Sequence, residues 1–382
     1  MARHKKSAQY NVCVEPIYRS SSYFFESAPA ADSVPGDKIG RYGRYGNPTW
    51  VQVEKRIAEL DKTDDALLFA SGMNAITTAL LAFAKPQDTI IFTGNCYKHT
   101  RSFIAEFLNS YGVHSKSVNY NQEEDFSNSI VNTIIEATKI VFLEIPSNPH
   151  LYLVDIKKIS NHLPPNCLLI VDSTLASPVN LSPINFGADL VIHSCTKYLG
   201  GHGDLLAGSI SGSTQLIDII RNYRNMMGGI VDPQCAFLLG RSLDSLQLRM
   251  RYLNDAGITI ANFLEQKSNI NTVFYTGLKS HPHYHLATQY LTGHGAVITF
   301  EIEGDQQTAA QFIDELEIPF MGSNFGTSAT MIEQCSVFTY YHLDRRQRYE
   351  QGISDSLVRM SLGYEDTELL VDDLSQALDK VV

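Results

Sequence analysis

Six short, almost continuous apolar runs lie between residues 66 and 211, and they constrain the fold more than any other feature of the chain. Polar or helical stretches separate most of them. Strands that are apolar on both faces are typical of a mostly parallel sheet covered by helices. The ligand site of such a sheet lies at the carboxyl ends of its strands. The runs are ALLFA (66–70), DTIIFT (88–93), KIVFLEIP (139–146), CLLIVD (167–172), DLVIHS (189–194) and LAGSIS (206–211).

The pattern changes after about residue 233. The stretch 232–266 has helical spacing and predicts a long helix, with breaks expected near Gly240 and Gly257. GAVITFEI (295–302) and SLVRMSLG (356–363) alternate like strands of a second, smaller sheet. We therefore expect an α/β protein with three parts: an irregular arm rich in Tyr, Ser, Gly and Pro (1–50), a large domain (51–234) and a C-terminal α+β domain (235–382).

Composition excludes several classes of protein. The chain has 382 residues, of which 44% are hydrophobic and 19% charged, as in an ordinary globular protein. A net charge of -11, with no long basic block, argues against nucleic acid or a membrane surface as partner. No secretory signal or spanning segment is predicted, and the six cysteines lack metal-like spacing. We expect reduced thiols and a cytoplasmic location.

Complementary polar groups follow three of the apolar runs. Gly72 and Met73 lie in ASGM, directly before a predicted helix, whose N-terminal amides favour an anion. Asp172 ends another run, and Lys197 follows a third in HSCTK. The hydroxyls of Ser194 and Thr196 are further donors for the same anion. An anion cradle, a carboxylate and an amine in one cleft are the groups that pyridoxal phosphate requires.

Each of these signals has an ordinary structural interpretation when taken alone. A lysine before a glycine-rich turn is most often a surface residue, and an aspartate at a strand end is more often a cap. Their combination on three separate strands is far more specific than any one of them.

The chain resembles the Cys/Met-metabolism group of pyridoxal-phosphate enzymes, which includes cystathionine γ-synthases and γ-lyases, methionine γ-lyases and O-acylhomoserine sulfhydrylases. The resemblance covers nearly the whole chain and implies fold-type I, with the cofactor bound by residues 51–234. Seven motifs carry it in the family order: PIYRSSSYFF (16–25), YGRYGNPT (42–49), ASGMNAI (70–76), EIPSNP (144–149), VDSTLASP (171–178), HSCTKYLGGHGDLLAG (193–208) and VRMSLG (358–363).

The resemblance implies a role for individual residues around the cofactor. Lys197 would form the Schiff base and then move protons, and Asp172 would pair with the ring nitrogen. Tyr97 would be the second catalytic residue, which stacks on the ring and acts on the amino group. Asn148 would lie near the ring 3′-oxygen, and Arg359 would bind the substrate α-carboxylate.

The phosphate would be held from two subunits. The same resemblance gives Gly72, Met73, Ser194 and Thr196 to the phosphate, and Tyr42 and Arg44 to the phosphate of a neighbouring subunit. It therefore implies a homo-oligomer, a dimer of dimers, in which the arm contacts the neighbouring subunit.

The substrate side departs from the family pattern. In the segment SNFGTSATMIEQCSVFTYY (323–341), Asn324 replaces a serine and Ala329 a glutamate. Lys98 and His99 replace small residues after the tyrosine. Lys98 and His99 are candidates to recognise an acidic side chain or to act on the leaving group, or they point away from the site. An intact cofactor half with an altered substrate half favours a specialised substrate.

The sequence thus predicts elimination or replacement at the γ (or β) carbon of a small sulfur-containing or homoserine-derived amino acid. Two alternatives remain: a different outcome on the same cofactor, such as transamination or decarboxylation, and a non-catalytic cofactor-binding partner protein. HPHYH (281–285) resembles a metal motif, but we interpret it as structural and expect no metal site.

Overall fold

The computed structural model describes residues 12–34, 39–121 and 123–381. The first seven strands are β1 (Asp65–Phe69), β2 (Thr89–Thr93), β3 (His114–Val118), β4 (Thr138–Glu144), β5 (Leu168–Asp172), β6 (Leu190–His193) and β7 (Gly208–Gly212). They form one sheet in the order β1-β7-β6-β5-β4-β2-β3. All pairs are parallel except β1 with β7 and β7 with β6. The predicted mostly parallel sheet is confirmed.

Helices cover both faces of this sheet. The helices of this part of the chain are α1 (Ala28–Asp32), which has no buried residue, α2 (Pro48–Asp61), α3 (Gly72–Phe83), α4 (Lys98–Ser102), α5 (Phe126–Thr133), α6 (Ile156–Ser160), α7 (Ser177–Asn180) and α8 (Thr214–Met227). A π-helical turn (Phe103–Leu108) and a 3₁₀ turn (Pro183–Phe186) complete this part. Along β4, Phe142 packs into one apolar cluster and Val141 into another, because successive strand residues face opposite sides. Both clusters are buried, as the continuous apolar runs require.

A second sheet lies in the C-terminal part, with strands β8 (Ile270–Phe274), β9 (Val297–Ile302), β10 (Phe320–Met321), β11 (Met331–Gln334) and β12 (Leu357–Ser361). Their order is β10-β11-β12-β9-β8. The helices here are α9 (Pro233–Leu243), α10 (Leu246–Glu265), α11 (Tyr284–Tyr290), α12 (Gln306–Asp314), α13 (Arg345–Glu350) and α14 (Thr367–Leu378). None of the described helices is long and apolar enough to cross a membrane.

The expected helix breaks at Gly240 and Gly257 are wrong. The chain is interrupted at Asp244 and Ser245, and both glycines lie inside helices. A Cβ atom at position 257 would lie 2.4 Å from the carbonyl oxygen of Gly295, and one at position 240 would lie 3.1 Å from a Val53 methyl. These glycines do not end their helices. They allow α9 to pack closely against Val53 and α10 to pack closely against Gly295.

Several strands have no sequence signal that we recognised. β3, with the sequence HSKSV, is polar because it is the edge strand of the large sheet and only partly covered. β8, β10 and β11 were also not predicted. Of the arm, residues 1–11 and 35–38 lie outside the described residues, and the rest carries α1, one bridge between Ser22 and Tyr42, and the start of α2. The boundaries at residues 50 and 234 stay a prediction.

The HPHYH segment provides buried histidines that bind the protein itself. The ring of His281 contacts the carbonyl of His150 at 3.0 Å, and His150 contacts the carbonyl of Gly352 at 3.0 Å. His283 Nδ1 accepts the backbone N–H of Leu153 at 2.9 Å. Burial lowers the pKa of all three histidines to about 4. Within the described ranges no group of three or more His, Cys, Asp or Glu side chains could hold a metal ion.

These histidines make stability depend on pH. Each has a folded-state pKa of about 4 against an ordinary value of 6.5, so unfolding takes up protons below pH 6.5. The stabilisation is complete above that pH and is lost as pH falls towards 4, by about 1.4 kcal/mol per pH unit for each histidine. We expect His283→Asn, whose amide oxygen can still accept the Leu153 N–H, to reduce the slope in urea unfolding between pH 7 and 5.

The exposed His114 on β3 is the matched control, because it is not among the groups that lower the pKa of His283. His114→Asn should leave the slope unchanged. An H283N variant with the wild-type slope would show that His283 does not carry this pH dependence.

Candidate active site

The N-terminus of α3 has the geometry expected of an anion cradle. Ser71 caps the helix and accepts the N–H of Asn74 at 3.1 Å, which leaves the amides of Gly72 and Met73 pointing out of the helix end. The Ser194 side chain lies directly opposite, because a Cβ atom on Gly72 would be 2.8 Å from Ser194 Cβ. Thr196 is also at this end, and its hydroxyl exchanges hydrogen bonds with the backbone of Ala207 at 3.1 and 3.3 Å.

Asp172 ends β5 in a buried position beside a second acid. Its Oδ1 accepts two hydrogen bonds from Thr174, from the backbone N–H at 3.0 Å and from the hydroxyl at 2.5 Å. Glu144 ends β4 directly opposite Asp172 in the ladder. Burial and the neighbouring Asp172 raise the pKa of Glu144 to about 8, and burial also raises the pKa of Asp172. Two buried acids at one sheet edge create a strong preference for a cationic partner.

Lys197 lies in the turn after β6, held by backbone bonds from its N–H to Ser194 and from Gly201 N–H to its carbonyl, at 3.0 and 2.7 Å. Its amino group donates a hydrogen bond to Asn324 Oδ1 and lies 4.6 Å from the centre of the Phe325 ring. Burial, with Arg359 nearby, lowers the pKa of Lys197 to about 8. The amine is therefore neutral far more often at pH 7 than an ordinary lysine.

The loop at 324–326 is built against the lysine turn. Gly326 has a positive φ of 71°, and a Cβ atom there would lie 2.8 Å from the backbone nitrogen of Tyr198. Both the positive φ and the short distance to Tyr198 therefore exclude a side chain at this position. The close approach carries Asn324 and Phe325 onto Lys197, so the segment that departs from the family pattern contacts the expected Schiff-base lysine directly.

Arg359 lies on β12, opposite Glu333 of β11. Its Nη1 donates to Asn148 Oδ1 at 2.9 Å, and its Nη2 is 2.9 Å from Glu333 Oε1, an ion-pair distance without hydrogen-bond alignment. Nε and Nη2 of Arg359 are buried without an aligned acceptor within the described residues. The guanidinium keeps donors for another carboxylate. Thr339 donates to both oxygens of Glu333, which orients this acid towards Arg359.

Tyr97 is anchored beneath the site by Glu144, whose Oε2 accepts the Tyr97 backbone N–H at 2.7 Å. The Tyr97 side chain is 49% exposed, and its ring meets that of His99 edge to face at 5.4 Å. Lys98 Nζ lies 5.5 Å from the centre of the Tyr341 ring. Burial, together with Lys98 and Arg101, lowers the pKa of His342. The rim beyond Tyr97 is therefore positively charged.

Tyr42 and Arg44 lie on the arm. Arg44 stacks over the rings of Tyr42 and Tyr45, at 5.1 and 5.3 Å from their centres. Its Nε is buried without a partner within the described residues. None of these contacts connects Tyr42 or Arg44 to Lys197 of the same protomer.

Four residues at the site were not singled out from the sequence: Glu144, Thr174, Phe325 and Glu333. Glu144 lies inside the motif EIPSNP and Thr174 inside VDST, but neither motif indicates what these residues contact. Glu333 is a lone acid within the apolar strand TMIEQ, and a buried charge at such a position is a signal for an ion-pair partner. Phe325 has no signal apart from its place after Asn324.

The arrangement fits pyridoxal phosphate. The α3 amides and Ser194 suit a phosphate, the buried Asp172 suits a cationic ring nitrogen, and Lys197 supplies an amine with a lowered pKa. Arg359 suits the carboxylate of an amino acid. The same groups would serve no metal ion, which prefers several ligands converging on one point.

Asn324 gives a test of how the loop controls Lys197. In Asn324→Asp a carboxylate would face the amine, favour its charged form and raise the pKa of Lys197 above about 8. We expect the midpoint for acylation of Lys197 in the cofactor-free protein, followed by peptide mass spectrometry, to move up by one to two pH units, as expected for one close opposite charge.

Lys55 on α2 is exposed and serves as the control within the same digests. Its labelling profile should be the same in both proteins. If the Lys197 profile also stays unchanged, Asn324 does not control the amine.

Comparison with known proteins agrees with this geometry. The family model for Cys/Met metabolism PLP-dependent enzymes matches residues 1–379. The chain is 37% identical to a chloroplastic cystathionine gamma-synthase 1 of Nicotiana tabacum, over 96% of this chain and 68% of that one. It is 33% identical to an L-methionine gamma-lyase of Fusobacterium nucleatum subsp. nucleatum, over 97% of this chain and 95% of that one.

A crystal structure of cystathionine gamma synthase from Xanthomonas oryzae pv. oryzae has a TM-score of 0.92, with 29% identity, 98% of this chain and 95% of that chain covered. The fold is therefore the fold-type I arrangement, with a mostly parallel large sheet and a second sheet. These matches support neither transamination or decarboxylation nor a non-catalytic partner protein. The chain belongs to the Cys/Met-metabolism family of pyridoxal-phosphate-dependent enzymes, the lyases and γ-replacement transferases of sulfur amino acids.

Proposed function

We propose that this enzyme catalyses replacement or elimination at the γ carbon of a homoserine-derived or sulfur-containing amino acid, with Lys197 as its base. One observation carries the proposal: Lys197 has a pKa lowered to about 8, donates to Asn324 and lies close enough to Arg359 to be affected by its charge. About one lysine in ten is neutral at pH 7 with such a pKa. Its Nζ can therefore accept the proton that leaves the substrate α carbon.

Pyridoxal phosphate, when bound, supplies an electron sink for the carbanion at the α carbon. The protein residues hold and move the protons. Asn324 accepts one N–H of Lys197 and so orients the amine, and Nζ carries the proton between neighbouring carbons. Asp172 would provide the negative charge at the ring nitrogen, and Tyr97 would stack on the ring.

Arg359 is proposed to bind the substrate α-carboxylate. Its buried, incompletely bonded guanidinium supports this role, because a buried charge gains most from a second acceptor. Asn148 fixes one end of the guanidinium, and Glu333 balances its charge in the absence of substrate. Asn148 and Glu333 together fix the direction in which the remaining N–H groups of Arg359 point.

Lys98 and His99 are proposed to lie on the side-chain part of the substrate. The positive rim formed by Lys98 and Arg101, whose charges lower the pKa of His342, supports a substrate whose γ substituent is acidic. Replacement and elimination share every proton transfer up to departure of that substituent. γ-Synthases among the relatives favour replacement as the first candidate, and γ-lyases among them favour elimination as the second.

The test combines a spectrum with a substrate panel. Lys197→Ala should abolish the visible absorption band formed with pyridoxal phosphate, while Lys55→Ala, at an exposed lysine, should retain it. Wild-type enzyme is then assayed with O-acyl and O-phosphohomoserines, cystathionine, methionine and cysteine, with detection of new amino acid, thiol and oxo acid.

Lys98→Met provides the specificity arm of the same panel. It should lower kcat/KM about tenfold for esters with an acidic group, the effect of one charged hydrogen bond, and leave the neutral O-acetyl ester unchanged. A wild-type protein without a Lys197-dependent band, or without turnover of any γ-substituted amino acid, would contradict the proposed function.

The proposed active unit is a homo-oligomer, a dimer of dimers, in which Tyr42 and Arg44 reach the phosphate of a neighbouring subunit. The buried, unpartnered Nε of Arg44 and the exposed Tyr42 ring support this proposal within the described residues. The division at residues 50 and 234 and a cytoplasmic location are proposed with it. None of the six cysteines is paired, which supports a reducing compartment.

A mixing experiment tests the shared site. Arg44→Ala should weaken cofactor retention about tenfold by removing one charged contact, while Arg251→Ala, exposed on α10, should not. Hybrids of R44A with K197A subunits contain sites with both residues, so they should regain cofactor retention and activity. Unchanged affinity in R44A, or hybrids without recovery, would count against a site shared between subunits.

A further inference from the structure

The Thr174 hydroxyl lies between the two ends of the cofactor site. It accepts the backbone N–H of Ser194 at 2.8 Å and donates to Asp172 Oδ1 at 2.5 Å. Ser194 belongs to the anion cradle, and Asp172 is the acid expected at the ring nitrogen. Thr174 itself is buried and two residues beyond the end of β5.

The direction of these bonds follows from the chemistry of a hydroxyl, which has one proton and two lone pairs. Because an amide N–H can only donate, Ser194 occupies a lone pair of Thr174 and directs the proton towards Asp172. Oδ1 of Asp172 then receives both the Thr174 hydroxyl and the Thr174 backbone N–H. Oδ2 receives no hydrogen bond from the described residues, so it is the oxygen free for another donor.

Asp172 needs such support because its surroundings disfavour its charge. Burial raises its pKa, whereas the two hydrogen bonds from Thr174 and the charge of His193 on β6 lower it. Glu144 faces it from β4 as a second acid. His193 is buried and paired with Asp61 at 2.9 Å, and Asp61 raises its pKa against the effect of burial. Thr174 supplies the direct hydrogen bonds that these more distant charges do not.

We propose that Thr174 is a positioning residue that keeps Asp172 ionised, presents Oδ2 to the cofactor ring nitrogen and fixes that oxygen relative to the phosphate cradle through Ser194. The proposal rests on the proposed role of Asp172. Thr174 acts on the cofactor through Asp172 and not by direct contact. Its single hydroxyl also sets the spacing between Asp172, at the ring-nitrogen end of the site, and Ser194, at the phosphate end.

The experiment compares three variants. Thr174→Val removes the hydroxyl and keeps the shape, Thr174→Ser keeps the hydroxyl, and Thr78→Val is the matched control. Thr78 is buried in α3 and its hydroxyl has no partner among the described residues, so the control makes the same change without losing a hydrogen bond. The readouts are the Kd of pyridoxal phosphate for the cofactor-free protein and the ¹⁵N chemical shift of the labelled ring nitrogen.

We expect T174V to raise the Kd about tenfold, the effect of one charge-assisted hydrogen bond, and to move the ¹⁵N shift towards the unprotonated ring. T174S should restore both readouts, and T78V should change neither. If T174V does not fold, Thr174→Ala removes the same hydroxyl with less volume and is read in the same way.

Wild-type Kd and ¹⁵N shift in T174V would overturn the proposal. So would a higher Kd with an unchanged shift, because that result indicates a structural role alone. These outcomes are distinct from failure of the proposed function, in which the wild-type protein itself would form no Lys197-dependent complex.

Discussion

Parallel pairing of β4, β5 and β6 is the constraint on which the rest of the site depends. It puts the last residues of neighbouring strands side by side, so Glu144 and Asp172 become neighbours and the lysine turn begins next to them. Because these strands are buried on both faces, their polar residues are confined to the ends. The cost of burying two acids there is balanced by hydrogen bonds from Thr174 and Tyr97 and by an expected cationic partner.

The second sheet completes the site from the other side. β12 supplies Arg359, and the segment before β11 supplies Asn324 and Phe325, which reach Lys197 because Gly326 permits close contact of two backbones. The lowered pKa of Lys197 is thus a product of both sheets: burial at the large sheet and the nearby guanidinium of the small one. The proposed base and the arginine proposed to bind the substrate carboxylate are therefore electrostatically coupled.

Much of this arrangement was predictable. The apolar runs indicated a parallel sheet, since strands buried on both faces have no polar alternation, and the polar residues after them indicated a cleft. The edge strand β3 was missed because it is polar and only partly covered, β10 because it has only two residues, and β11 because two of its four residues are polar. Gly240 and Gly257 were misjudged because a glycine that admits a close neighbour looks the same in sequence as one that ends a helix.

The sequence alone determined the fold class, the family and the residue types at the cofactor site, because these depend on local pattern and ordered motifs. Tertiary structure decided which groups meet. Asn324 lies on Lys197, Glu333 on Arg359 and Ser194 on Thr174, and none of these pairs follows from spacing along the chain. The physical reason is that hydrogen-bond direction and burial, which set charge and orientation at the site, exist only once distant segments have packed together.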